Sequence, residues 1–176
     1  MLTGFFPSAL GESALSLDYP GLYEKGFRGL IFDIDGTLVP HGADSTPEVD
    51  AFFGKIQSLG FRTLLLSNND QERVLRFLKN IDTLYICDAD KPEPFAYEKA
   101  VQMLGLRKEQ VLVIGDQVFT DILGANRAGL SSVLVHYILW PGETRLGLRR
   151  RVEAALVWVY KTFQKSSLQS EKAKER

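Results

Sequence analysis

The chain of 176 residues has one cysteine, Cys87, and two histidines. A single thiol excludes an intramolecular disulfide and any zinc centre built from several thiolates, and it suits a reducing compartment. His41 and His136 are too few and too far apart in sequence to form an imidazole metal site of their own. Long hydrophobic runs are also missing. No stretch approaches the roughly eighteen apolar residues of a membrane span, and the amino terminus lacks the basic and apolar regions of a signal peptide. The expectation is a soluble, cytoplasmic protein. What the chain does contain, 45% hydrophobic and 24% charged residues, is enough for one compact domain with a sizeable core.

The net charge of −1 hides an asymmetry. Residues 1–140 hold 12 Lys+Arg against 18 Asp+Glu, a balance of −6, while residues 141–176 hold 9 against 4, a balance of +5. A basic terminal segment of this kind suits an anionic surface.

Strand-like and helix-like segments alternate along the chain, with no internal repeat. The strands are "GLIFDI" at 29–34, "FRTLLLSN", "TLYIC", "QVLVIGD" and "SSVLVHYI". Between them lie "TPEVDAFFGKIQSLG", "QERVLRFLKN", "PFAYEKAVQMLG" and the short "TDILGANRAG". Thr46 is placed to cap the first of these helices, Pro47 to begin it and Gly60 to follow its end. Strands separated by helices of this size imply right-handed crossovers. The predicted fold is α/β, a Rossmann-like doubly wound parallel sheet of about five strands. Ligands in such sheets bind outside the carboxyl ends of the strands.

Polar residues gather at those ends. The first strand runs into Asp33 and Asp35, the second into Ser67, Asn68 and Asn69, the third leads to Lys91, and the fourth ends in Gly115-Asp116 with Asp121 close behind. This set suits phosphoryl transfer. Asp33 and Asp116 are hard oxygen ligands for Mg2+, and an oxygen of Asp33 can attack phosphorus to give an aspartyl phosphate. Asp35, two residues on, can protonate the leaving alkoxide and then take a proton from water. Ser67 and Lys91 can bind the phosphoryl oxygens. Gly36 lets the chain turn sharply beside the phosphate. Asp121 can instead cap the helix beginning near Thr120. Asn68 joins the candidate substrate-binding set, although it and Asn69 also suit loop shaping. His41, in the loop after Asp35, is near enough in sequence to reach the site, although a loop histidine more often faces solvent.

The motifs "DIDGTLV", "LLLSN", "DKPEP" and "GDQVFTD" resemble, in order and position, the four motifs of the haloacid dehalogenase superfamily of phosphatases. The resemblance implies Asp33 as nucleophile, Asp35 as general acid and base, Ser67 and Lys91 as phosphate binders, and Asp116 as metal ligand together with the backbone carbonyl of Asp35. It also implies that Asp121 supports the metal or its waters and that Thr37 braces the first loop, beside the substrate. "GDQVFTDILGANRAG" and "SNND" are similar to the YqeG-type subgroup of the third subfamily, which includes phosphatidylglycerophosphate phosphatases, although members often carry Asn where Gly36 stands.

Neither gap between motifs can hold a cap domain: 34 residues separate Asp33 from Ser67, and 24 separate Ser67 from Lys91. An open crevice argues for a large substrate such as a lipid headgroup, a phosphoprotein or a nucleic-acid end, of which a nucleic acid is not expected. Residues 1–165 are read as one domain ending in a basic amphipathic helix over 144–165, with 166–176 disordered. In that helix Leu148, Val152, Ala155, Leu156, Val159 and Phe163 fall on one face predicted to dock on the sheet. Val157, Trp158 and Tyr160 lie outside it and, with Arg149, Arg150, Arg151, Lys161 and Lys165, suit peripheral contact with anionic lipid. The expected activity is a Mg2+-dependent phosphatase acting on phosphatidylglycerophosphate. The alternatives are a phosphatase of a soluble phosphomonoester or phosphoprotein, a receiver-like signalling module, or an adaptor without turnover.

Overall fold

The computed structural model describes the backbone at residues 2–143 and 147–174 and side chains at 4–143, 147, 148 and 150–162. Six strands form one sheet: β1 Ala9–Leu10, β2 Gly29–Phe32, β3 Arg62–Leu66, β4 Leu84–Ile86, β5 Val111–Gly115 and β6 Ser131–Leu134. Their spatial order is β1-β6-β5-β2-β3-β4, and every pairing is parallel. The helices are α1 Tyr19–Glu24, α2 Pro47–Ser58, α3 Gln71–Phe77, α4 Pro94–Leu104, α5 Leu123–Ala128 and α6 Leu148–Lys174. The sixth strand exceeds the five expected. It is β1, two residues at the sheet's edge beside β6, too short to carry a period in the sequence.

From β2 the chain proceeds outward through β3 and β4, then crosses to β5 on the other side of β2. That reversal places the topological switch point between β2 and β5. Both strands are buried along their full length. Alternate residues face opposite layers: Leu30 and Phe32 join Phe52, Phe53 and Val74 from α2 and α3, whereas Ile31 joins Tyr97, Ala100 and Ala125 from α4 and α5. Each such fully buried side chain contributes about 1.5–3 kcal/mol, so the two central strands form a rigid base for whatever follows them.

Helix starts and stops follow local chemistry. Thr46 Oγ1 accepts the Val49 N–H at 3.3 Å and Pro47 opens α2. Asp70 Oδ1 accepts the Arg73 N–H at 2.8 Å at the start of α3. Gly105 and Gly129 end α4 and α5 in the left-handed conformation. The segment predicted as one helix from Thr120 begins earlier, with a π-helical turn over Val118–Ile122 that passes into α5. The wide turn lets Asp121 reach back to the strand end, a local departure typical of functional positions.

The terminal helix differs from expectation in its docked face. Tyr160 and Glu153 are buried and Val157 is partly so, whereas Leu148 and Val152 are 77% and 46% exposed. A polar anchor sets this orientation. Arg150 and Glu153 reach under the helix to the end of β5, and that contact overrides the apolar stripe. The helix extends from Leu148 to Lys174 because neither Pro nor Gly interrupts the sequence there. Thr144, Arg145 and Leu146, at the start of the predicted helix, lie outside the described residues. No helix among the described residues is long and apolar enough to cross a membrane.

Candidate active site and metal centre

The carboxyl end of β2 delivers Asp33 into a site that water scarcely reaches; Asp33, Asp116, Lys91 and Asp121 are all buried. Ligand oxygens of Asp33, Asp116 and Asp121 lie within 4.8 Å of one another. Lys91 Nζ spans two of these acids, donating to Asp33 Oδ1 and to Asp121 Oδ1, each at 2.7 Å. Three acids from separate parts of the chain thus share a small volume with one ammonium group.

Electrostatics follow from this crowding. Burial, the lysine notwithstanding, and the neighbouring Asp121 and Asp116 push the Asp33 carboxyl well above its ordinary range. Burial and Asp121 likewise push Asp116 up to about 6. Burial opposes charge on Lys91, but Asp121 and Asp33 outweigh it and keep the ammonium protonated. A buried set of hard oxygen donors that repel one another is suited to a hard divalent cation such as Mg2+, and unsuited to a soft metal.

Glycines make the convergence possible. Gly36 has φ +89, and a Cβ there would meet the Tyr137 ring at 2.4 Å and Asp116 Oδ2 at 2.8 Å. A Cβ on Gly115 would meet Asp121 Cβ at 2.4 Å, so the strand end must be bare for Asp121 to lie across it. Asp121 Oδ2 also accepts the Gln117 N–H at 3.0 Å, combining local bonding with a place in the acid cluster.

Asp35 has a different setting. Its Oδ1 accepts from the Gly42 N–H at 3.0 Å and Arg73 Nη2 at 2.8 Å, and its Oδ2 accepts from Asn69 Nδ2 at 2.7 Å. Burial disfavours its charge, yet the hydrogen bonds from Asn69, Gly42 and Arg73 win and hold the carboxyl below its ordinary value. The Asp35 side chain therefore stands apart from the three clustered acids. Exposed His41 places Nδ1 3.6 Å from Asp35 Oδ2.

Ser67 is buried, and its Oγ accepts the Asn69 N–H at 3.1 Å. Thr37 and Asn68, expected beside the substrate, have hydrogen-bond partners within the protein. The wholly buried Thr37 hydroxyl donates to Asp116 Oδ1 at 2.7 Å. Asn68 Oδ1 accepts the Lys91 N–H at 2.7 Å, and its Nδ2 donates to the Lys91 carbonyl at 3.3 Å. Asn68 thereby fixes the backbone from which Lys91 enters the site.

Two arginines at the site escape the sequence reading. Arg73, on α3, was legible only as a basic residue in a helix's first turn, where the helix dipole disfavours it. Arg150, on α6, was read with Arg149 and Arg151 as suited to contact with anionic lipid, and it instead turns inward to the site. Its Nη2 pairs with Asp116 Oδ2, and its Nη1 donates to the Asp116 carbonyl at 2.8 Å and to Glu153 Oε2 at 3.2 Å. Its guanidinium also stacks 4.2 Å from the Tyr137 ring centroid.

The chain is similar to known proteins in sequence and in fold. Residues 89–145 match the HAD-hydrolase-like family. The chain is 35% identical over 137 residues to the Bacillus subtilis protein named "Probable phosphatase YqeG", covering 77% of this chain and 80% of that one. It is 28% identical over 160 residues to the chloroplastic phosphatidylglycerophosphate phosphatase 1 of Chlamydomonas reinhardtii, covering 84% of this chain but 59% of that protein. Among solved structures, a Listeria monocytogenes protein aligns with TM-score 0.54 at 20% identity, over 77% of this chain and 99% of that one. A haloacid dehalogenase-like hydrolase from Streptococcus pneumoniae aligns with TM-score 0.54 at 15% identity, over 66% and 89% respectively. These structural similarities are of fold.

Proposed function

This chain belongs to the haloacid dehalogenase-like hydrolases, as a phosphatase of the YqeG type, and from that premise we propose that it hydrolyses a phosphomonoester through an aspartyl phosphate on Asp33. The observation that carries the reading is the meeting of Asp33, Asp116 and Asp121 within 4.8 Å, with Lys91 bridging two of them. Asp33, Asp116 and Asp121, with the carbonyl of Asp35, would hold Mg2+. When bound, the ion neutralises phosphate charge next to buried carboxylates.

In the first step an oxygen of Asp33 forms a bond to phosphorus as the ester P–O bond breaks, and Asp35 gives its proton to the departing alkoxide. In the second step water attacks the phosphorus, Asp35 takes the water's proton, and the bond to Asp33 breaks to release inorganic phosphate. Lys91 and Ser67 hold phosphoryl oxygens, where charge is concentrated in both transition states. Thr37 and Asn68 keep Asp116 and Lys91 in place. Use of Asp35 in both steps separates this reading from a receiver-like module, which stores a phosphoryl group and needs no general acid beside it.

Phosphatidylglycerophosphate is the proposed substrate, giving phosphatidylglycerol and phosphate. Support comes from the named activity of the Chlamydomonas relative and from an uncapped site. Peripheral contact of α6 with a lipid surface belongs to the same reading, supported by exposed Leu148, Val152 and Trp158 beside basic residues. The test follows phosphate release with Mg2+ from phosphatidylglycerophosphate vesicles and from a panel of soluble esters. Asp33→Asn should lower turnover by on the order of a thousandfold or more. Soluble esters consumed as efficiently as the lipid would remove the lipid assignment and leave the phosphatase. Turnover retained by Asp33→Asn would remove the mechanism.

A further inference from the structure

Beside Asp116 lies a groove between α6 and the segment that follows β6, which no step above uses. Its volume is about 470 Å³, within the range of small-molecule sites. Asp116 and Arg150 border it on the reaction side, Leu134, Leu139, Val157 and Trp158 line it, and Lys161 lies farther along α6. Arg150 and Lys161 are 11 residues apart in one helix, about 16 Å along its axis.

Leu139 and Trp158 remain 36% and 68% exposed, although they are large apolar groups in a concave surface. Water against such a surface is displaced at a gain by an apolar occupant. The charged groups narrow the choice of occupant. Glu153 also borders the groove, but it is buried and accepts from Arg150 Nη1 and from the Phe119 N–H at 3.3 Å. Arg150 and Lys161 balance Asp116 and Glu153, so the groove is close to neutral overall, with Arg150 and Lys161 as the groups that would meet an anion. Size narrows it further: a helix of that 16 Å length, about 10 Å across, would take more than about twice the volume. Asp116 belongs to both the groove and the acid cluster, so an occupant of the groove lies next to the group that reacts.

We propose that this groove is the subsite for one acyl chain of the substrate, a diacylglycerol-bearing phosphomonoester, with its internal phosphodiester at Arg150 and that chain along Leu139, Val157 and Trp158. The inference rests on the phosphatase reading and adds to it a residue basis for choosing lipid over soluble ester. Leu139 and Trp158 select the substrate; they take no part in bond making.

The test uses the full chain and dioctanoyl phosphatidylglycerophosphate below its micelle concentration, so that single molecules rather than a surface are offered. Trp158→Ala and Leu139→Ser should each raise KM for this lipid about tenfold with kcat little changed. Both should leave kcat/KM for glycerol 3-phosphate within about twofold of the unsubstituted protein. Calorimetric titration of the same lipid into Asp33→Asn, with and without each second substitution, should show the same tenfold loss of affinity. Equal losses on lipid and soluble ester overturn the proposal, as do unchanged lipid KM and affinity. So does a loss confined to vesicles, which would mean surface adsorption. Sedimentation showing a dimer that Trp158→Ala dissociates would assign the groove to a second copy and also overturn it. If neither ester is turned over, the phosphatase reading fails, and the calorimetric comparison alone decides the groove.

Discussion

In the proposed mechanism Asp35 carries a proton to the leaving group, yet its surroundings hold the carboxyl below its ordinary value. Arg73 is the cationic part of that setting, 2.8 Å from Oδ1, and its Nε and Nη1 are buried without a hydrogen-bond partner among the described residues. A cation this close lowers a carboxyl's pKa, and so reduces the protonated fraction available at neutral pH. Replacing Arg73 with Leu removes the charge while Asn69 and the Gly42 N–H still orient the carboxylate. The Asp35 pKa should then rise, and the descending limb of the kcat/KM profile for a soluble ester should move to higher pH. Arg73→Lys, which keeps the charge, should restore most of the original profile. The measurement is initial phosphate release across pH with Mg2+ saturating. An unmoved limb in Arg73→Leu would show that Asp35 is not the acid whose titration the profile reports.

Among the elements, α6 is the one whose attachment is neither a strand pairing nor a short crossover. Tyr160 is buried, with its ring 5.4 Å from that of Phe6, and Leu156 and Val157 pack beside Val118 and Leu134. Tyr160→Ala removes the largest buried group on the docked face and should cost about 3 kcal/mol. Its urea midpoint should fall accordingly, and tryptophan fluorescence, from Trp140 and Trp158 together, should shift before the sheet unfolds. A single transition unshifted from the unsubstituted protein would mean that docking rests on the Arg150 and Glu153 contacts alone. The elements also show which features were readable in advance. The order of strands and helices was legible because buried parallel strands read as continuous apolar runs and helix ends carry caps. Asp33, Lys91, Asp116 and Asp121 were legible because strand ends in a doubly wound sheet share one edge. The docked face of α6 was not legible, since it is fixed by Arg150 meeting Asp116, 34 residues earlier, and no periodicity encodes a polar contact across that separation. Arg73 was hidden for the same reason: its partner Asp35 lies 38 residues away.

At the scale of the whole molecule, an acidic body and a basic tail meet at the site, where Arg150 pairs with Asp116. That pairing compensates only part of the charge gathered there, and the remainder should appear in the pH dependence of stability. Asp116 has its carboxyl raised from 3.8 to about 6, first by burial and then by Asp121. A carboxyl with a raised folded pKa binds protons more tightly in the folded than in the unfolded chain. Its stabilising contribution is therefore full below about pH 4 and lost as pH rises through about 6. Asp33, also raised, loses its contribution at higher pH in the same direction. Asp35, with its carboxyl lowered, acts oppositely, but its contribution is lost only on acidification below the ordinary carboxyl range. Between about pH 4 and about pH 6 Asp116 and Asp33 both lower stability as pH rises, Asp116 by up to roughly 3 kcal/mol for a shift of about two units, and Asp33 goes on doing so above pH 6. With chelator present, Tm measured by circular dichroism should fall across that interval, and Asp116→Asn should remove its share of the fall while leaving that of Asp33. Mg2+ added at neutral pH should raise Tm in the unsubstituted protein and far less in Asp116→Asn, because a ligand of the folded state alone stabilises by mass action. Equal slopes in the two proteins would show that the three acids do not share the crowded field that their separations imply.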